Sequence, residues 1–213
     1  MARPQGVRNH NFDEKRGALL DRLVAFALGS DLSRPSLRQM AAAVETSEPT
    51  LRHYFTDRQG VIVAILGHIG QREPFSWMVP GAPHAPPQET LRECFRMLED
   101  GMRQGGFIRV HAFGIIEGVA DPQVGQAYIT HILEPALKAV RQKLSAASGG
   151  PRTEDKLQAA ALAVLSPLLV LCLHQDLLGG DELTPIDGKI VTGHLEDWLS
   201  DAMTNGSLGS GAG

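Results

Sequence analysis

Ser47, Glu48, Pro49, Thr50, Arg52, His53, Tyr54 and Arg58 stand within one short stretch and supply hydroxyls, a carboxylate, two guanidiniums, an imidazole and a phenol. On a helix this set suits recognition of nucleic acid rather than bond making. With Leu51 set inward and 100° per residue, Phe55 falls beside Leu51, while Pro49 and His53 point away and Thr50 and Arg52 flank them. Arg52 and His53 then reach base edges or phosphates, and arginine to guanine is the commonest specific pairing. Thr50, Tyr54 and Arg58 are phosphate-anchoring types, and the partial positive charge at the helix start, beside Ser47, adds to them. Glu48 repels phosphate but can accept from a cytosine amino group. Arg38, just upstream, is a further phosphate candidate. The plain alternative is a solvated face on an ordinary amphipathic helix.

No comparable set supports catalysis. There is no G-x-S-x-G, no phosphate loop and no supportive carboxylate or Cys/His spacing. The eight histidines include no HxxxH pair, so no metal site and no cofactor are expected. Cys94 and Cys172 sit in apolar helical patterns and read as reduced packing residues of a cytoplasmic protein.

The elements that must position these residues are helical throughout. Leu19, Leu20, Leu23, Phe26 and Ala27 stripe a first helix from about Asp13 to Leu28. Ser36 and Gln39 form a capping box for a second, whose inner face is Leu37, Met40, Ala41 and Val44. Thr46 or Ser47 caps the third, with Pro49 in its first turn. Thr56 and Gln59 are placed to cap a fourth, along Val61, Ile62, Ile65, Leu66 and Ile69. After the proline-rich 80–87 stretch, helices follow from about Gln88 to Gln104, Phe107 to Val119, Asp121 to Leu144, Arg152 to Leu178 and Asp187 to Met203. The run Ala159–Leu173 reads as too short for a bilayer, so no membrane partner is expected. MARPQGVRNHNF carries no apolar run suited to a signal peptide.

The net charge of -4 hides an asymmetry. Up to Arg72 there are 10 Lys+Arg against 7 Asp+Glu, beyond it 10 against 17. Screening confines phosphate attraction to about 10 Å, so an acidic second part does not prevent a basic first part from binding DNA.

Leu19 to Ile69 resembles the N-terminal domain of TetR-type (tetracycline-repressor family) regulators, through Ser47, Thr50, Leu51, His53, Tyr54, Phe55, Arg58 and Val61. Two residues depart from the family pattern. Glu45 replaces the usual turn glycine, so either a left-handed backbone is kept at a cost of about 1 kcal/mol or the turn differs. Arg52 replaces a usual aromatic, which shifts the base contacts and hence the operator.

The resemblance implies an all-α chain: a flexible arm over 1–12, a three-helix helix-turn-helix domain over 13–57, a helical ligand-binding and dimerisation bundle over 58–204 (58–79 connecting), and a disordered tail over 205–213. The helix through Ala159–Leu173 is apolar on every side and needs cover all round. With the last helix it offers a four-helix homodimer interface through Leu165, Leu168, Leu169, Cys172, Val191, His194, Leu195, Trp198 and Ala202. Trp77, Phe95, Met97, Met102, Phe107, His111, Phe113 and Tyr128 are candidates for an effector pocket, with simple packing as the alternative for each. The function this points to is a homodimeric repressor on a near-palindromic double-stranded DNA operator, released by a small apolar or amphipathic molecule. The alternative is a DNA-binding regulator or architectural protein without such a ligand.

Overall fold

The structure, a computed structural model, describes residues 5–29, 34–72, 84–104, 106–151 and 153–204, with side chains from 11 onward. Among them every regular element is a helix, and no strand occurs. The chain divides into two compact units, Met1–Glu73 with Arg109–Ile132, and Pro74–Ile108 with Leu133–Gly213. This division differs from the boundary expected at 57/58.

The first unit begins with α1 (Gln5–Ala27), α2 (Leu37–Ala43), α3 (Glu48–Phe55) and α4 (Arg58–Arg72). Helix α1 starts at Gln5, so part of the arm expected over 1–12 is helical. Ser36 closes the capping box with Gln39 in both directions. The end of α2 is held from α1, where Arg22 Nη1 donates to Val44 O at 2.8 Å. Glu45 has φ 52, the left-handed backbone that a glycine would adopt without strain. Ser47 caps α3 by accepting from Thr50 N, and Pro49 sits harmlessly in the first turn.

Helix α3 ends abruptly. Thr56 has φ 73 and ψ -58, and Asp57 N donates to Phe55 O at 2.9 Å, the signature of a rare and strained γ-turn. The expected Thr56–Gln59 capping box does not form. Asp57 Oδ1 caps α4 by accepting from Gly60 N at 2.8 Å, and the Gln59 amide turns away to Asp121.

Leu19, Leu20, Leu23, Leu37, Met40, Val44, Leu51, Phe55, Val61, Ile62, Ile65, Leu66 and Ile69 form the buried core of these helices. Each such side chain contributes roughly 1.5–3 kcal/mol of burial. The unit is completed by α6 (Phe107–Ala120) from Arg109 on and by α7 (Pro122–Tyr128), which packs along α4. Helices α6 and α7 approach closely because both lack side chains at the crossing. A Cβ on Gly114 would overlap the Tyr128 ring, and one on Gly118 would press on Gly125. Asp121 caps α7 by accepting from Gln123 N and Val124 N.

The second unit holds α5 (Pro87–Arg103), α8 (Glu134–Ala146), α9 (Glu154–Cys172), α10 (Gly180–Leu183) and α11 (Gly188–Thr204). Helix α5 packs on α8, α9 and α11, and α9 packs on α8 and α11. The short α10 had no periodic signal in the sequence. Segments Ile129–Leu133 and Leu173–Leu177 are π-helical, so the expected long helices are continuous but locally underwound.

Helix α9 and its π-helical end form one stretch, Glu154–Leu177, of 24 residues. By length and composition alone that stretch could cross a membrane, as can the core helix of a globular unit. Ala160, Ala161, Val164, Leu165, Leu168, Leu171 and Cys172 are buried along it, as in a core helix. Lys143 of α8 is buried against Glu93 Oε1 at 3.0 Å.

Candidate nucleic-acid interface

Helix α3 presents the face expected of it. Leu51 and Phe55 are buried, Pro49, Arg52 and His53 are exposed, and Glu48, Thr50 and Tyr54 lie at the margins. Ser47 and Arg38 are also exposed. The Ser47 and Thr50 hydroxyls lie 2.7 Å apart, so both belong to the cap as well as to the outer face.

Three side chains are not as free as the pattern implied. Arg52 Nη2 lies 2.7 Å from Glu48 Oε1 one turn back, with Nε at 3.2 Å from the same oxygen. The Arg52 side chain is still 55% exposed. Exposed i,i+4 pairs are worth only about 0.3–0.5 kcal/mol, so Arg52 can part from Glu48 at little cost. Phe12 of α1 lies on the other side of the helix, 4.8 Å between ring centroids from Tyr54 and 5.8 Å from His53. Arg16 stands over the Phe55 ring at 5.2 Å. The aromatic residues therefore restrain His53 and Tyr54 from the side of α1.

Arg58 is a correction. Its Nη2 and Nη1 donate to the Glu117 carboxylate at 2.6 and 3.0 Å, and Nε donates to Pro35 O at 2.8 Å. With three of its five N–H groups engaged and the side chain 28% exposed, it is held as a clasp between α4 and α6, which leaves little of it for a phosphate. Glu117 has no exposed side-chain surface and also accepts from Arg34 Nε at 3.3 Å. One turn on, the Gln59 amide donates to Asp121 at 2.7 and 2.9 Å. The hydrogen bond from Gln59 is the leading influence that holds the Asp121 carboxyl below the usual carboxylate range. The beginning of α4 is thus fastened to α6 and α7 inside the first unit. A lone acid in the apolar sequence FIRVHAFGIIEGVA was the available signal for Glu117, because a buried carboxylate needs a cation.

The pocket candidates separate. Phe95, Met97, Met102 and Phe107 belong to the second unit, and His111, Phe113 and Tyr128 to the first. All seven are buried. His111 Nδ1 and Tyr128 Oη meet at 2.7 Å. Trp77 lies outside the described residues. A cleft of about 270 Å³ in the second unit is lined by Lys138, Arg141, Gln142, Ser145, Glu154 and Leu157, none of them a candidate.

The interface candidates are corrected in part. Leu165, Leu168 and Cys172 are buried within the second unit and face its own core. Burial raises the Cys172 thiol to about 11 and the Cys94 thiol to about 12, so neither is a thiolate near neutrality. Leu169, Val191, Leu195 and Ala202 are half-buried, and His194 and Trp198 are exposed and stacked with centroids 6.1 Å apart. Exposed apolar residues on these helices are Leu162 and Val170 on α9 and Ile190 on α11. Val170 is 63% exposed and Trp198 68%.

No protein-family model and no curated protein sequence matches the chain. Among solved structures, the chain is similar to a protein of Mesorhizobium loti provisionally assigned as a TetR-family transcriptional regulator, with 17% identity and a TM-score of 0.57. The match covers 91% of this chain and 95% of that one. The all-helical fold of a TetR-type regulator is therefore shared, with little of the sequence.

Proposed function

We propose that the chain is a TetR-type transcriptional regulator, a cytoplasmic homodimeric repressor that binds a near-palindromic DNA operator and releases it when a small apolar or amphipathic effector binds. The observation that carries this reading is the outer face of α3, where Arg52 and His53 are exposed on a helix whose Leu51 and Phe55 are buried. Arg52 and His53 read base edges, Arg38, Ser47, Thr50 and Tyr54 hold phosphates, and Glu48 releases Arg52 or accepts from cytosine.

One such helix binds weakly and with strong salt dependence. Two, held about 34 Å apart by a dimer, read successive major grooves. Leu162, Val170, Ile190, His194 and Trp198 supply the dimer face in this reading, because large exposed apolar residues on adjacent helices mark association surfaces. Effector binding is transmitted through α6. Its Glu117 grips Arg58 at the start of α4, and α4 follows α3 after one strained turn. An effector acts only through its different affinity for the DNA-competent and DNA-incompetent arrangements.

Operator affinity measured by fluorescence anisotropy on selected genomic fragments, with and without cell-extract small molecules, tests the reading. Sequence-selective binding that the extract weakens supports it; no selectivity over random DNA overturns it. A second reading, a DNA-bound regulator without a ligand, is favoured by the burial of all seven described pocket candidates. Selective binding that no compound alters would support that reading instead.

A further inference from the structure

His111 stands in the α6–α7 part of the first unit with no exposed surface. Its Nδ1 lies 2.7 Å from Tyr128 Oη, with the rings edge to face at 5.8 Å between centroids. Its Nε2 is buried and has no hydrogen-bond partner. Buried polar atoms are almost always paired, and an orphan in a native fold calls for a partner supplied from elsewhere. The Tyr128 ring is fixed, because it lies flat where Gly114 has no side chain.

The chemistry of the pair decides what that partner is. A phenol is the better donor, so Tyr128 O–H donates to Nδ1 and the ring hydrogen sits on Nε2. Burial alone lowers His111 to about 4 and raises Tyr128 to about 12, so both are neutral at physiological pH. No charged neighbour contributes to either shift. A ligand carboxylate would therefore lie unpaired in an apolar place, which a neutral oxygen avoids.

We propose that His111 Nε2–H is the polar anchor of a small-molecule site, and that its ligand is a mainly apolar compound presenting a neutral acceptor oxygen, of the ketone, ester or ether class. Tyr128 is the positioning residue that sets the tautomer. The inference rests on the effector-responsive reading above and adds the ligand's functional group to it.

The test uses the full chain with nitrogen-15-labelled histidine and two matched probes, acetophenone and ethylbenzene. In the free protein, two-bond proton–nitrogen correlation spectra should show His111 protonated at Nε2. Acetophenone should bind about 10-fold or more tightly than ethylbenzene, since only it satisfies the buried donor. In Tyr128→Phe, which keeps the ring packed, His111 should sample both tautomers and the preference should shrink to about 3-fold or less. His111→Leu should abolish the preference. Equal affinities for both probes in the native chain would overturn the acceptor inference while leaving an effector site intact. Binding of neither probe would overturn the site at His111, while the effector reading stands or falls on the operator assay above. A bare Nε2 in the free protein, or a preference unchanged in Tyr128→Phe, would overturn the anchor.

Discussion

Glu117→Gln should destabilise the first unit by about 2–3 kcal/mol, and the structure sets that size. The Glu117 carboxylate has no exposed surface and takes two bonds from Arg58, at 2.6 and 3.0 Å, with Arg34 at 3.3 Å. Removing one partner of a buried pair typically costs about 3–5 kcal/mol, because the other charge is left desolvated and unpaired. Here Arg58 keeps some water access and its bond to Pro35 O, which lowers the figure. A glutamine can accept from only one arm of the guanidinium and turns an N–H donor toward the other. By contrast Arg34, at 45% exposure and with a single long contact, should cost under about 1 kcal/mol as Arg34→Ala. Urea unfolding followed by far-ultraviolet circular dichroism measures both. The double variant Arg58→Met, Glu117→Leu should recover most of the loss, since an apolar pair of similar volume carries no desolvation penalty. If Glu117→Gln cost less than about 1 kcal/mol, or the double variant were worse than the single, the carboxylate would not be the clasp described.

Other expectations are narrower. Arg52→Ala should lower sequence discrimination by about 1–3 kcal/mol in competition anisotropy, whereas Arg38→Ala should weaken all DNA alike and reduce the salt slope by about one. Trp198→Asp and Val170→Asp should each yield monomers in analytical ultracentrifugation at micromolar concentration, and a persistent dimer would place the interface elsewhere. His111 links stability to pH. The unfolded ring takes a proton near 6.5 while the buried ring resists until about 4, so its contribution is intact above 6.5 and is lost as pH falls toward 4. At pH 5 the loss amounts to about 2 kcal/mol, and His111→Gln should lack this component when urea midpoints at pH 7.5 and 5 are compared.

The helices were legible in the sequence because their signals are local. Ser36 with Gln39, Asp121 before Pro122, and the Leu51–Phe55 spacing each settle a helix end or a face within a few residues. The position of the turn was legible at Glu45, but whether it kept the left-handed backbone was settled only by the structure, where φ is 52. What failed was whatever depends on partners distant in the chain. Arg58 looked like a phosphate anchor because nothing near it in sequence reveals Glu117, which lies 59 positions away. Gln59 was read as a cap for the same reason, and its partner Asp121 is 62 positions away. Leu165, Leu168 and Cys172 were assigned outward because a helix apolar all round gives no clue to which side its own unit covers. Phe12 was passed over because an aromatic residue near a terminus has no period to place it, yet it packs on His53 and Tyr54.

The central claim is that the exposed side of α3 enters the major groove twice per dimer. Methylation interference at guanine N7, a major-groove atom, on a selected operator fragment tests it most directly. The account predicts two clusters of interfering guanines, centred about one helical turn or a small multiple apart on one face of the duplex, with at least one guanine in each losing its effect in Arg52→Ala. A single cluster, or interference at every guanine unchanged in Arg52→Ala, would contradict it.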